Sequence, residues 1–423
     1  MRIGIQTWGS EGDIRPLIAL GAALTRRGHQ VELLYTEIST RRYEHVAAAL
    51  GFTARAVASP VIADRAREND IGLAAIGARD EFSQGLLIFR ELLDPVVEPM
   101  YEAGLALCAR SDLLIHHFIL HPSRAAAEKT GTPAATVAFA HMLAPSRYLH
   151  PSGLPDFGPW ANRIEWAVAC FALNQTLLKR VNRFRVAKAL PKHRDLLRDA
   201  WASHRLHLLA SSAAFLKQRP ADWPAANQLC GFLELPAHEH EQLAPEVDAF
   251  LSSGPPPVFM GLGSLMPISG PHLEETIEVF ERAASRAGCR AIIQSEAIRE
   301  STGNILFINR APHQAIFPRC AAVVHHAGAG TTHTTLRAGT PSVPVPHVSD
   351  QFLWSKELQR LGVAPAPLRR TKWSAPALAD RIIQTLNTPS MKQAALAMSQ
   401  RMRDDNGPER AADLVERILI NDR

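Results

Sequence analysis

The sequence predicts an α/β protein built from two Rossmann-like domains, each around a parallel sheet and facing the other across a cleft. Three observations predict it. Short aliphatic runs alternate with amphipathic helical stretches from the first residues onward. That alternation restarts after a proline-rich break between Pro236 and Pro257. Loops rich in Gly, Thr and His follow the runs at Ile3–Ile5 and Val323–Val324, where parallel sheets bind ligands. A length of 423 residues suits two domains.

The elements follow in order. Ile3 and Ile5 open a first strand, and Gln6 to Asp13 carry a glycine loop. Ile14 to Arg27 has helical spacing at Leu17, Leu20 and Leu24, with Pro16 at an early helical position and Gly28 closing it. Val31 to Tyr35 is a second strand, which completes a βαβ opening. A helix over 40–50 and a strand over 53–57 follow, then an irregular stretch over 60–85. Glu91 to Cys108 reads as helix, Leu113 to Ile115 as a strand ending in His116 and His117, and Ala125 to Lys129 as helix. A strand over Ala134 to Phe139 ends at His141. The long segment Pro145 to Trp160 has the length of a functional loop. Phe157 and Trp160 in it, with Trp166, either line an apolar pocket or plug the core.

Between Leu178 and Arg198 stand eight cations, Lys179, Arg180, Arg183, Arg185, Lys188, Lys192, Arg194 and Arg198, against Asp195 alone. A solvated helix face and attraction to an anionic membrane surface both account for this run. Leu208–Leu209, Phe215–Leu216 and Leu229–Leu233 are strand candidates around a turn at Pro220 to Pro224. In the second domain, strands are expected at 258–262, 291–294, 305–308, 321–324 and 342–345. Helices are expected at 272–287, 313–318, 352–361, 375–387 and 408–420. The domains are placed at 1–235 and 236–400, with 401–423 returning to the first.

Composition narrows the function. A hydrophobic content of 46% is enough for two large cores, and a net charge of +5 is too small to argue for nucleic acid. Five scattered cysteines fit neither a disulfide framework nor zinc spacing. Met1 to Gln6 reads as a strand, not a signal peptide, and the longest apolar run falls short of a membrane span. A cytoplasmic protein is expected.

The strongest chemical pattern is Val323-Val324-His325-His326-Ala327-Gly328-Ala329-Gly330-Thr331-Thr332. It reads as strand, tight turn and helix start. Unpaired N–H groups and the helix dipole there attract an anion, and small residues let it approach. His326 and the threonine hydroxyls add donors, so a phosphate or diphosphate fits; a plain helix cap is the alternative. The lysine of a Walker loop and the three-glycine dinucleotide spacing are missing from the run.

Together these residues resemble the family-1 glycosyltransferases of the two-domain GT-B fold, in particular bacterial enzymes of the glycopeptide-antibiotic, rhamnolipid and sterol-glucosyltransferase type. Gly9 to Leu17 is similar to the family's opening loop, and Phe259 to Ser264 to the loop that starts its donor domain. Pro318 to Thr332, Ala338 to Pro341 and Asp350-Gln351 are similar to its nucleotide-sugar signature, and Asp222-Trp223-Pro224 with Gly231 to its lipid and sterol branch. The resemblance implies that Arg310 stacks on a nucleobase whose edge the Ala311 backbone reads. It implies that Gly12, Ser264, His326, Gly328, Gly330, Thr331 and Thr332 hold a diphosphate and that Asp350 and Gln351 bind the sugar. It places Asp13 as general base, where an N-cap role is the local alternative. Thr334 stands where plant members carry a ribose-binding glutamate, which keeps a thymidine diphosphate donor open beside uridine diphosphate. Ala327 replaces a frequent glycine.

The expected reaction is inverting transfer of a hexose from a nucleoside diphosphate sugar to the hydroxyl of a lipophilic acceptor: a lipid, sterol, carotenoid or polyketide. Asp13 removes the hydroxyl proton and the helix start stabilises the leaving diphosphate. No metal and no cofactor beyond the co-substrate are expected. His141, Phe157 and Trp160 are the acceptor-side candidates. Two other readings remain: an NAD-dependent oxidoreductase, with Glu37 as the acid ending the second strand, and a non-catalytic module binding sugar nucleotides or lipids.

Overall fold

The computed structural model describes residues 1–421 except 39–40, 60–70, 73, 76, 79–80, 152–153, 155, 236–242, 264–270, 296–298 and 310–311. Ser264, Arg310 and Ala311 therefore lie outside the described residues, as does most of the stretch 60–85.

The chain forms two compact units. One comprises Met1–Ala75, Phe82–Leu235 and Asp405–Arg423, the other Ile76–Glu81 and Pro236–Asp404. The first holds seven parallel strands: β1 (Arg2–Gly9), β2 (Gln30–Glu37), β3 (Thr53–Ala56), β4 (Leu113–His117), β5 (Ala134–Ala138), β6 (His207–Leu209) and β7 (Asn227–Leu229). They run in the order β3-β2-β1-β4-β5-β6-β7. The central strands β4 and β5 are buried along their whole length, as helix-covered parallel strands must be.

Helix α1 (Glu11–Arg26) begins three residues earlier than its apolar spacing suggested, so Asp13 is its third residue and Ser10 its N-cap. Helices α2 (Val97–Cys108) and α3 (His121–Thr130) pack together on the sheet. Beyond β5 a single helical run holds α4 (Pro159–Leu173), a π-turn over Asn174–Leu178 and α5 (Lys179–Ala187). Phe215 ends a 3-10 turn (Ala213–Phe215) where a strand was expected, because the Ser212 hydroxyl caps it by accepting from Ala214 N. Asp222 and Trp223 clamp the segment after β5. Ser146 Oγ and Arg147 N donate to the Asp222 carboxylate at 2.7 and 2.8 Å, and Trp223 Nε1 donates to the Ala144 carbonyl.

The second unit holds β8 (Val258–Gly261), β9 (Ala291–Gln294), β10 (Ile305–Ile308), β11 (Ala322–His325) and β12 (Ser342–Pro344), parallel in the order β10-β9-β8-β11-β12. Alternate residues of β8 serve two cores. Val258 and Met260 pack with Phe280 of α6 (Pro271–Ala287) and with later helices, while Phe259 faces Ile316 and Phe317. The remaining helices used below are α7 (Ala329–Arg337), α8 (Gln351–Arg360) and α9 (Gly407–Asn421). A helix over Pro389–Arg401 was not expected from the sequence.

The last helix, α9, belongs to the first unit. Arg27 at the end of α1 meets Glu409, Asp413 and Glu416 at 2.8, 2.5 and 3.0 Å, and Arg26 and His29 add further pairs. Three carboxylates around one guanidinium push its pKa well above the usual arginine value. Behind them Gly231, at φ +86, and Gly407 cross so closely that a side chain on either would meet the other strand's backbone.

Candidate functional site

In the second unit, three adjacent strands deliver the chemistry at their carboxyl ends. Gly263 follows β8, His326 follows β11 and His347 follows β12. The His326 ring is wedged between two glycines: a Cβ on Gly263 would stand 2.7 Å from Cε1, and one on Gly328 would collide with Nε2. Surrounding protein disfavours the cation and lowers the ring's pKa to about 4, so His326 is neutral near pH 7 and carries one N–H. Its Nδ1 is buried without a hydrogen-bond partner among the described residues.

Gly328 is the N-cap of α7 and its carbonyl accepts from Thr332 N at 2.9 Å. The N–H groups of Ala329, Gly330 and Thr331 are thus left without partners inside the helix, at its positive end. The next three side chains brace this turn from within. His333, Thr334 and Thr335 bond back to the carbonyls of Ala329, Gly330 and Thr331 at 2.7, 3.1 and 2.7 Å. The threonine cluster therefore divides. Thr331 stays partly exposed, whereas Thr332 is fully buried, with its N–H spent on the Gly328 carbonyl and its hydroxyl without a partner among the described residues, so it does not face an outside ligand. Ala327 lies at φ +62, a left-handed conformation that costs a non-glycine residue about 1–2 kcal/mol, so alanine here carries strain that glycine would not.

Asp350 is the partly exposed N-cap of α8, and Ser349 before it sits at φ +57. Gln351 is buried. Its Oε1 accepts from His347 N and Val348 N at 2.8 and 3.2 Å, so it holds the loop's shape and keeps only its amide NH₂ for a ligand. His347 donates to the Val345 carbonyl and is kept neutral by burial, its pKa down to about 3. Arg370, which sequence reasoning passed over, stacks on Trp373 at 3.4 Å and donates to the Thr276 hydroxyl. Its Nη1 is buried without a partner among the described residues, and desolvation lowers its pKa to about 9. On the other side of the sheet His313 Nε2 meets Gln294 Oε1 at 2.9 Å, and its ring stacks on Phe317.

In the first unit, Asp13 folds back over its own loop. Its Oδ2 accepts from Ser10 N at 2.8 Å and from Ser10 Oγ at 3.1 Å. Gly9 makes this possible: it sits at φ +130, and a Cβ there would strike the Asp13 carboxylate. Oδ1 points the other way, 3.6 Å from Nε2 of His117, which ends the neighbouring strand β4. Asp13 thus braces the helix start with one oxygen and turns the other toward His117, with its side chain one-third exposed. The sequence marks His117 only as the end of a strand. Its ring touches Phe118 and Phe139, and its Nδ1 is buried without a partner among the described residues. Gly12 is exposed, and a side chain there would meet nothing closer than Ser10 Oγ.

The three acceptor-side candidates are not brought together. His141 is 2% exposed, bonded to Ser211 Oγ at 2.9 Å and stacked on Phe215, so it lies in the interior. Phe157 and Trp160 plug no core: they are 74% and 78% exposed. Trp166 is the buried aromatic of this segment, donating to the Leu149 carbonyl at 2.6 Å.

Comparison with known proteins adds three relations. Residues 291–418 match the family of the erythromycin biosynthesis protein CIII-like C-terminal domain. The chain is 29% identical over 433 residues to the O-mycaminosyltylonolide 6-deoxyallosyltransferase of Streptomyces fradiae, covering 98% of this chain and 97% of that one. It is 25% identical over 440 residues to the sterol 3-beta-glucosyltransferase UGT80B1 of Arabidopsis thaliana, covering 99% and 68%. In fold it is similar to the Streptomyces sp. SF2575 glycosyltransferase SsfS6 complexed with thymidine diphosphate, with a TM-score of 0.65, 18% identity and 99% of each chain covered.

Proposed function

We propose, for this chain that is a family-1 glycosyltransferase of the GT-B fold, a donor, an acceptor class and a proton path. The donor is a nucleoside diphosphate hexose, uridine-linked in the first instance. The observation that carries this is the His326 ring locked between Gly263 and Gly328 at the open start of α7. One neutral N–H donor and three backbone N–H groups converge there, a set suited to a diphosphate that gains charge as it leaves. Arg310 and Ala311 would receive the base beside His313, and Asp350 with the Gln351 amide would meet the sugar. Thr334 bonds to its own helix at Gly330, which supports a donor without a ribose-reading carboxylate and favours thymidine diphosphate as the second candidate.

The acceptor is a lipophilic alcohol, the class to which a macrolide or a sterol belongs. Asp13 accepts its proton at Oδ1, since Oδ2 is held by Ser10. His117 Nε2, at 3.6 Å, is too far for a direct hydrogen bond and close enough to share a hydroxyl with that oxygen. Attack opposite the leaving diphosphate inverts the anomeric centre, and the protein supplies all the charge stabilisation without a metal. The chain works in the cytoplasm, and the basic stretch 179–198 is its contact with an anionic membrane face.

The deciding experiment is calorimetric titration of uridine and thymidine diphosphate into the wild type and the His326→Ala variant. Micromolar binding that weakens at least about tenfold in the variant supports the reading; equal affinity in both removes it.

A further inference from the structure

The outer face of the helical run from α4 to α5 is apolar where a surface helix should be polar. Trp160, Ile164, Val168 and Phe171 follow one another at helical spacing and are 78%, 46%, 63% and 64% exposed, with Phe157 just before them. The opposite face is committed to the protein through Trp166, Cys170, Leu177, Leu178 and Val181. The π-turn at Asn174–Leu178 inserts an extra residue per turn, which keeps the exposed face in phase, so Lys179 and Arg183 of α5 continue the same side. The run from Pro159 to Ala187 is about 40 Å long at 1.5 Å per residue.

Charge identifies what covers this face. Of the cations in the basic stretch, three are held by acids: Arg180 by Asp94, Arg185 by Glu128 and Lys188 by Glu98. Arg163, Lys179, Arg183, Lys192 and Arg194 are solvent-facing, and their side-chain cations have no acidic partner among the described residues. Between Phe157 and Arg194 the sequence has one acid, Glu165. An aromatic and aliphatic ridge flanked by unpaired cations complements an anionic lipid surface, with the ridge among the acyl chains and the cations at the headgroups.

We propose that this ridge is a membrane-insertion surface for anionic bilayers. It rests in part on reading 179–198 as an electrostatic contact, and goes beyond it by assigning the apolar half of the binding to α4. It does not depend on the transferase assignment, because vesicle binding needs no sugar donor.

The test is co-sedimentation of the full chain with phosphatidylcholine vesicles, alone or mixed with phosphatidylglycerol. Three proteins are compared: wild type, Trp160→Ser with Phe171→Ser, and Lys179→Glu with Arg183→Glu. The wild type is expected to partition onto the anionic vesicles. The apolar variant should lose at least about tenfold in partition at low salt, and the charge variant should lose its preference for phosphatidylglycerol. All three should melt alike, since the altered side chains are exposed, and Trp160→Ala alone should show the loss in smaller measure. Equal partition of wild type and apolar variant overturns the proposal, and so does failure of the wild type to bind either vesicle. A concentration-dependent dimer that the apolar variant abolishes, with no vesicle binding, gives the ridge to a second copy and overturns it too.

Discussion

Nε2 of His117 lies 3.6 Å from Oδ1 of Asp13, across the boundary between the end of β4 and the start of α1. The two are 104 positions apart and meet because β1 and β4 are parallel neighbours with Gln6 beside His116. Asp13→Asn keeps the acceptor for Ser10 N and removes the proton-accepting charge. Turnover should fall by about 10²–10⁴-fold while diphosphate affinity stays unchanged. His117→Gln should lower turnover less than Asp13→Asn does, since the ring approaches the carboxylate only at 3.6 Å. Wild-type turnover in Asp13→Asn would end the assignment.

Gly9→Ala tests the same oxygen from the backbone side. A methyl group there meets the Asp13 carboxylate and must adopt φ +130. Turnover should drop as far as in Asp13→Asn, with a loss of stability of at least about 1 kcal/mol. An active, fully stable Gly9→Ala enzyme would mean that the carboxylate has another resting place.

Gly328→Ala should weaken uridine or thymidine diphosphate about as much as His326→Ala does, because the added methyl displaces the His326 ring. Isothermal titration of both variants checks this. A Gly328→Ala protein with wild-type affinity would show that the ring position is immaterial.

Two arginines on one helix should behave oppositely. Arg185 is 2% exposed, with its guanidinium 2.6 Å from Glu128 and 2.7 Å from the Pro191 carbonyl. Arg183, two residues earlier, faces solvent. Arg185→Ala should cost about 2–3 kcal/mol by emptying a buried site and leaving the Pro191 carbonyl without its donor, while Glu128 keeps Arg124, and Arg183→Ala less than about 0.5 kcal/mol. Denaturant midpoints of the two variants decide.

Stability should fall with acid well above the carboxylate range. Burial lowers His116, His121, His325 and His347 to about 3, and His207 and His326 to about 4, against 6.5 in an unfolded chain. The unfolded state therefore binds protons first as pH drops. Their contribution is complete above about pH 6.5 and is lost progressively below it, down to the folded values. Glu128, held below its ordinary value by Arg185 and Arg124, adds a loss only below about pH 4.5. Melting temperature should be flat above pH 7 and decline between pH 6.5 and 4. A flat profile to pH 5 would mean that these rings are already charged in the fold.

The sequence made the sheets plain because buried parallel strands are near-continuous aliphatic runs, as at Val258–Gly261 and Ala322–His325. It missed β7, an edge strand that begins Asn-Gln, and read the stretch after it instead. The turn and helix start after β11 were legible from Gly328 and Gly330. The inward duty of Thr334 and Thr335 was not, since a hydroxyl four residues on bonds a carbonyl as readily as a ligand. The helix start at Glu11 was obscured by Gly12, which hid the brace between Ser10 and Asp13. Phe157 and Trp160 have the composition of pocket or core, and only the orientation of α4 turns them outward.

The chain leaves its first unit at Leu235 and comes back at Asp405, so the second unit is an insertion rather than an appendage. Residues 1–235 consequently lack one helix of their own unit. Their longest-range fastening, Arg27 in a ring of three carboxylates, arrives only with the final turns of the polypeptide. A protein stopped at Asp404 would keep every residue of the second unit and would lose all three carboxylates that surround Arg27 in the first.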